Sequence, residues 1–519
     1  MFTQQVSARL HRRAMVAFGA GTLALAGCGG GGGDSPAAVN TASAQFAQRC
    51  SPANPFADAG LKNGRLGIEK QWLRAYMDEA YLWYDQVPAV DANAAAYSGS
   101  DVYVALDNYF QALKTPQFTP SGARRDQFSF TYPTAEWQAL SQSGITPGYG
   151  MELVLDSPTP PRNIHIAYIE PNTQAAALGL RRGDVLVSVD GVTADDGSSA
   201  GVAVLNATIF PPATAVGTPH NWVFSRAGTA LAGLTMTVAN VTKQPVLTRS
   251  VITATNGSKV GYLLFNDHLA TAEAQLVEAF TYFNTQGVTD LVLDMRYNGG
   301  GYLYIASELA YMIAGAARTN GQVFEQLSFS TKRSADTNSA DAHTPFYNTS
   351  TGGVGLPTLN LSRVYVLAQS DTCSASEAVI NGLRGVGVDV RLIGGTTCGK
   401  PYGFTAKDNC GISYFPIEFK GVNAQGFGDY ADGFAPSNFS SGANVAGCSA
   451  ADDMGHALGD PAETMLATAL GYRSSGNLSC QALVGRAQPQ SVSRGTAPAS
   501  TSHLLRGPAR ENRILVPRP

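Results

Sequence analysis

The stretch RVYVLAQSDTCSASEAVINGLRGVGVDVRLIGGTTCGK, Arg363 to Lys400, decides how the rest of the chain is read. Its patterning predicts a β-strand over Val364 to Ala368, a helix opening near Ser374, a second strand over Val388 to Ile393, and a loop carrying Gly399 and Lys400. A serine at the mouth of a helix, with a lysine just beyond the next strand, suits a nucleophile and its base. The same residues suit a bland alternative. Ser374-Ala375-Ser376-Glu377 has the S-x-x-E spacing of a capping box, and a lone lysine is most often a solvated charge.

The preceding sequence favours the chemical reading. Val260 to Phe265 and Val288 to Asp294 read as strands, Thr271 to Phe283 and Tyr302 to Ile313 as helices, with a polar excursion from Thr319 to Val354 before the opening stretch. Such alternation predicts βαβ crossovers and a largely parallel sheet, with ligands at the carboxyl ends of its strands. Two loops leave from those ends: Met295-Arg296-Tyr297-Asn298-Gly299-Gly300-Gly301, and Ser370 to Ser376. Acyl transfer needs a nucleophile, a base and donors aimed at the developing oxyanion. Ser374 supplies the hydroxyl, and the backbone N–H groups of Ala375 and Gly300 are the expected donors, aided by the helix dipole. Lys400 is the base candidate. A free lysine has a pKa of about 10.4, so Lys400 must be buried to serve as one; Pro401-Tyr402-Gly403-Phe404 is apolar enough to allow it. The glycine loop is not a P-loop, since no Lys-Ser or Lys-Thr follows it.

Around this unit the chain divides. Leu66 to Tyr84 and Asp101 to Leu113 carry apolar and aromatic residues at helical spacing, predicting a helical N-terminal domain over 66–140. From 143 to 243 the pattern is strand-like. Its clearest run, Ile164 to Val192, predicts a strand, a short helix over Ala175 to Leu180, a strand over Val185 to Val189, and turns at Gly183-Asp184 and Asp190-Gly191. This resembles a PDZ domain, whose carboxylate-binding loop falls on Gly148-Tyr149-Gly150-Met151 and whose edge accepts a peptide as an added strand. The catalytic unit is expected over 245–475, with further strand character over Ile412 to Phe419 and a helix near Ala462 to Leu470. The 481–519 tail, rich in Pro, Arg, Ser and Ala, lacks periodicity and reads as disordered.

The net charge of −4 gives no general electrostatic footprint for nucleic acid. Arg9, Arg12 and Arg13 precede an apolar run from Ala14 to Ala26 that is too short to span a bilayer, which reads as a signal peptide over 1–27. Leu25-Ala26-Gly27-Cys28 resembles a bacterial lipobox, implying a lipid on Cys28, and the Gly-, Ala- and Ser-rich segment 28–65 reads as a flexible tether. Gly29 in place of aspartate favours the outer membrane, with the protein facing the periplasm. Six cysteines remain, an even number consistent with disulfides in an exported chain. Cys398 with Cys410 is the expected pair. No cysteine spacing resembles a zinc site, and no metal or cofactor is implied.

Taken together, the PDZ-like module, D-x-R-x-N-x-G-G over Asp294 to Gly301, S-A-S-E over Ser374 to Glu377, and Gly399-Lys400 resemble the C-terminal processing peptidases of family S41. The resemblance covers roughly Leu66 to Tyr472. It implies a multidomain α/β protein with a ClpP/crotonase-like catalytic domain, a serine endopeptidase acting on protein or peptide substrates, with Ser374 as nucleophile and Lys400 as general base. Ser376 is the fallback nucleophile. Two departures stand out. Many members carry a glutamine four positions after the lysine, where this chain has Phe404, and Cys373 and Cys398 flank the two catalytic candidates, where a disulfide could hold or gate the site. These departures motivate an alternative, a non-catalytic, lipid-anchored peptide-binding protein that keeps the fold. An acyl-CoA-handling enzyme of crotonase-like architecture offers no reason for an export signal. The absence of an S-x-x-K motif disfavours a class A β-lactamase reading.

Overall fold

A computed structural model describes residues 42–477 and 480, together with the backbone of 513–514. Cys28, the expected lipidation site, and the expected signal peptide over 1–27 lie outside the described residues. Among those described, no helix is long and apolar enough to cross a membrane.

The centre of the molecule is a seven-stranded sheet. In spatial order its strands are Val246–Thr253, Lys259–Phe265, Asp290–Asp294, Arg363–Ala368, Asp389–Gly394, Asn444–Ser449 and Ala435–Ser437. Every neighbouring pair is parallel except the first, where Val246–Thr253 runs antiparallel to Lys259–Phe265. The helices Ala272–Gln286, Leu303–Ala314 and Ala375–Gly385 supply crossovers on one face, and Thr464–Ser474 covers the other. Because both faces are covered, the central strands are mainly apolar: Asp290–Asp294 is buried at every position, with Leu291, Val292 and Leu293 at its centre. The expected run from Ile412 to Phe419 is two strands, Ile412–Phe415 and Phe419–Val422, which join different small sheets.

The helical N-terminal region shares its core with the central sheet. Trp72, Leu73, Met77 and Phe110 share one continuous core with Leu263, Leu293, Val366 and Phe404, and Phe130–Pro133 pairs antiparallel with Ile412–Phe415. Burial of each such side chain contributes about 1.5–3 kcal/mol, which binds the region to the central sheet. The expected tether also ends earlier than its composition suggests. From residue 42 the chain is packed down: a Cys50–Cys410 disulfide anchors it, and the buried Glu69 carboxylate accepts Ser51 N–H at 2.7 Å and Asn54 Nδ2 at 3.1 Å. The disulfides Cys373–Cys398 and Cys448–Cys480 complete the set, so the expected Cys398–Cys410 pair does not form.

Residues 145–242 form a separate β unit with its own core around Ile166, Leu186, Trp222 and Phe224. Its main sheet runs Met151–Val154, His165–Ile169, Val185–Val189, Pro219–Arg226, Thr229–Ala230, with helix Ser199–Ile209 alongside. Met151–Val154 is an edge strand. The unit meets the rest of the molecule at its Arg181-Arg182-Gly183-Asp184 turn. A Cβ on Gly183 would lie 2.3 Å from the Met454 carbonyl oxygen, so only glycine permits this approach.

Of the tail, the segment Arg513–Ile514 forms a short strand, whereas no strand was expected there. The remaining residues of 481–519 lie outside the described residues.

Candidate active site

Ser374 and Lys400 emerge at the carboxyl end of the central sheet from two successive strands, Arg363–Ala368 and Asp389–Gly394. Both residues are fully buried. Ser374 is the N-cap of helix Ala375–Gly385 and has φ 61° and ψ −112°. A β-carbon in this region costs about 1–3 kcal/mol and persists only where the surroundings impose it.

The surroundings here are organised by Glu377. Its buried carboxylate accepts Ser374 N–H at 3.0 Å and Lys400 N–H at 2.8 Å on Oε2. Oε1 accepts Gly399 N–H at 2.9 Å and the Thr397 hydroxyl at 2.5 Å. Burial pushes the Glu377 carboxyl above its ordinary value, and the four donors oppose that shift. The S-x-x-E spacing is therefore a true helix-start device, and the same carboxylate gathers the serine and lysine backbones on one group. The loop is shaped for this: Gly399 has φ 82°, and a Cβ there would meet the Ala431 carbonyl oxygen at 2.3 Å. The Cys373–Cys398 disulfide closes the same two loops one residue before Ser374 and two before Lys400.

The lysine side chain is held by rings. Lys400 Nζ lies 4.1 Å from the Phe404 ring centroid and 5.3 Å from that of Phe128. Phe404 in turn packs edge-on against the stacked Phe130–Phe415 pair, at 5.5 and 5.4 Å. The residue standing where a hydrogen-bonding glutamine was expected thus confines the lysine with a ring face.

The glycine loop reaches the serine helix as the motifs implied. The Asn298 carbonyl oxygen accepts Cys373 N–H at 3.0 Å and the Ser376 hydroxyl at 3.0 Å. Ser376, the fallback nucleophile, thereby has its hydroxyl engaged in joining the two loops. Gly300 differs from its expected role. Its N–H donates to Asn298 Oδ1 at 2.9 Å, because the Asn298 side chain folds back over its own loop, anchored by Nδ2 to the Phe265 carbonyl at 2.9 Å and with His268 Nδ1 3.0 Å from Oδ1. In this conformation Gly300 does not face an oxyanion. Ala375 N–H, in the first turn of its helix, is a position without an intrahelical acceptor.

Beneath the glycine loop lies a buried ion network. Arg296 makes paired hydrogen bonds to Asp294 at 3.0 and 2.8 Å and to Glu463 at 2.8 and 2.9 Å, and contacts Asp452 at 2.7 Å. Burial alone would lower its pKa, but these carboxylates outweigh it and hold the guanidinium charged. Asp452 also binds Tyr297 Oη and, at 2.5 Å, Arg182 from the β unit. Asp294 and Arg296 belong to a motif visible in the sequence. Arg182, Asp452 and Glu463 escaped it, although Glu463 caps helix Thr464–Ser474 by accepting Leu466 N–H at 3.0 Å, a signal of the acidic N-cap kind.

Gly148, Tyr149, Gly150 and Met151 lie away from these residues, at the start of the edge strand of the β unit. The Tyr149 ring is buried against Trp222 at 4.9 Å, and the Gly150 carbonyl accepts Glu170 N–H at 2.8 Å.

Residues 259–407 match the family described as Peptidase family S41, and residues 69–130 match the Peptidase S41 N-terminal domain. The chain is 27% identical over 255 residues to the chloroplastic C-terminal processing peptidase of Tetradesmus obliquus, covering 47% of this chain and 49% of that protein. It is 24% identical over 261 residues to the carboxyl-terminal-processing protease of Picosynechococcus sp., covering 50% of this chain and 56% of that protein. The chain thus spans about half the length of the curated relatives it matches. A Bacteroides fragilis protein solved as an S41 protease superposes with a TM-score of 0.58 at 25% identity, covering 79% of this chain and 98% of that one.

Proposed function

We propose that this chain, which matches the Peptidase family S41 model over residues 259–407 and the S41 N-terminal domain over 69–130, is a serine endopeptidase hydrolysing peptide bonds in exported proteins through a Ser374/Lys400 dyad. The observation that carries this reading is the Glu377 carboxylate, which binds the backbone N–H of Ser374 and of Lys400 at once while Ser374 is held at positive φ. A capping box alone would need only the first of these bonds.

In the proposed reaction, Lys400 Nζ takes the Ser374 hydroxyl proton as Oγ attacks the scissile carbonyl, then passes it to the leaving amine. Water attacks the resulting ester, giving up its proton by the same route. Burial of Lys400 supports its role as base, because a lysine deprived of water loses solvation that favours its cation. Ala375 N–H supplies one oxyanion donor. The second comes from the glycine loop, and Gly300 can serve only once Asn298 Oδ1 releases it.

Substrate capture is assigned to the β unit. The order of its strands and helix, its exposed edge at Met151–Val154 and the Gly148–Met151 turn support a PDZ-like reading, in which a substrate's C-terminal end binds the turn and adds a strand to that edge. Three disulfides support an oxidising compartment. With the lipobox-like sequence at Cys28, they favour a lipoprotein on the periplasmic side of a bacterial membrane.

The test is incubation of an unfolded protein substrate with the purified chain and with its Ser374→Ala variant, followed by mass spectrometry of the products. New internal termini with the parent and none with the variant are expected. Equal products from both would overturn the assignment.

A further inference from the structure

The short strand Arg513–Ile514 pairs in parallel with Gly301–Tyr302, in the register Gly301 to Arg513 and Tyr302 to Ile514. It also lies against Tyr402–Gly403. Both partners adjoin the catalytic groups. Gly301 follows the Asn298 loop that is bonded to Cys373 and Ser376, and Tyr402 stands two residues beyond Lys400. On its other side the Gly301–Tyr302 pair is already satisfied, with Tyr302 N–H donating to the His268 carbonyl at 2.8 Å. The pair therefore has one edge fixed in the protein and one edge open to an incoming extended backbone, and that open edge is the one the 513–514 segment takes.

We infer that Gly301–Tyr302 is the rail on which this site holds extended peptides, and that the strand Arg513–Ile514 is its resident occupant, competing with substrate. The inference rests on the peptidase reading for the identity of the competitor, while the rail and its occupant stand on the backbone pairing alone. Main-chain pairing of this kind is tolerant of sequence, which suits a site that must accept many substrates. The occupant is tethered to the fold through Cys480, bonded to Cys448. Because occupant and rail belong to one chain, their pairing is intramolecular, so a weakly binding strand is enough to occupy the rail until a better ligand displaces it.

Two measurements test this on the full chain and on a chain lacking residues 505–519. In a Ser374→Ala background, hydrogen exchange is followed over residues 299–304. Faster exchange on removal of the tail is expected, and unchanged exchange would overturn the inference whatever the enzyme does. With Ser374 intact, removal of the tail is expected to lower the apparent KM by about two- to tenfold at constant kcat. A synthetic peptide covering residues 506–519 should restore the higher KM competitively. An unchanged KM together with no competition by the peptide would overturn the proposed occupancy. If exchange responds to the tail but no form cleaves any substrate, the rail stands and the peptidase reading fails. An Arg513→Pro/Ile514→Pro chain of full length should behave as the truncated one, and full-length behaviour in that variant would overturn the strand pairing.

Discussion

Replacing Glu377 with glutamine changes a single atom type yet disturbs both catalytic candidates. The carboxylate accepts four donors: Ser374 and Lys400 N–H on Oε2, and Gly399 N–H and the Thr397 hydroxyl on Oε1. An amide has one acceptor oxygen. If its NH2 replaces Oε2, it opposes two backbone donors. If it replaces Oε1, it opposes Gly399 N–H and a Thr397 hydroxyl that already accepts Phe434 N–H at 2.7 Å. At least one buried donor is orphaned either way, costing about 1–3 kcal/mol, and each surviving bond loses about 1 kcal/mol of charge assistance. The total is about 3–5 kcal/mol of stability. Because the loss falls on the Ser374 and Lys400 backbones, displacement of either by about 1 Å should lower kcat by about a hundredfold. Urea unfolding and turnover of a fluorogenic peptide measure the two effects. A Glu377→Gln protein within about 1 kcal/mol of the parent and with unchanged turnover would refute the claim that this carboxylate assembles the site.

Other perturbations have equally definite outcomes. Removing the Cys373–Cys398 disulfide as a double serine variant frees a loop with a sequence separation of 25; about 3 kcal/mol of stability should be lost, with reduced turnover, as read by denaturant unfolding and kinetics. Arg296→Leu strands the buried Asp294 and Glu463 carboxylates, so a loss of about 3–5 kcal/mol is expected in the same unfolding measurement. Glu170 is pushed up to about 7 by burial where the β unit meets Lys243. Its folded form therefore holds a proton that the unfolded form releases, so stability is present at acid pH and falls as pH rises from about 4.5 to about 7, by about 3 kcal/mol. Unfolding of Glu170→Gln across that range should lack this component.

How far the sequence reveals the molecule depends on the range of the interaction. The crossover strands and helices are marked by local apolar periodicity, and the Ser374 helix start is marked by a spacing of three, so both were legible. Long-range pairings were not. Cys50 lies in a segment whose composition reads as a tether, and only the folded chain brings it to Cys410, leaving Cys398 for Cys373. Phe128 joins Lys400 from a region that reads as a separate helical domain, because no local pattern shows that Trp72 and Val366 share one core. Asp452 and Glu463 reach Arg296 from the connection between Asn444–Ser449 and Thr464–Ser474, and Arg182 joins from the β unit through Asp452 and Tyr297. The hydrogen bond from Gly300 N–H to Asn298 Oδ1 was not legible either, because side-chain folding of that kind has no periodic trace.

The central claim is that Ser374 is the nucleophile activated by Lys400, and trapping the acyl-enzyme tests it most directly. The purified chain is incubated with an activated peptidyl ester at low pH to slow deacylation, digested, and the modified residue located by mass spectrometry. The ester is expected on Ser374 in the parent, with labelling slowed in Lys400→Ala and absent in Ser374→Ala. Modification of Ser376, or equal labelling of Ser374 with and without Lys400, would contradict it.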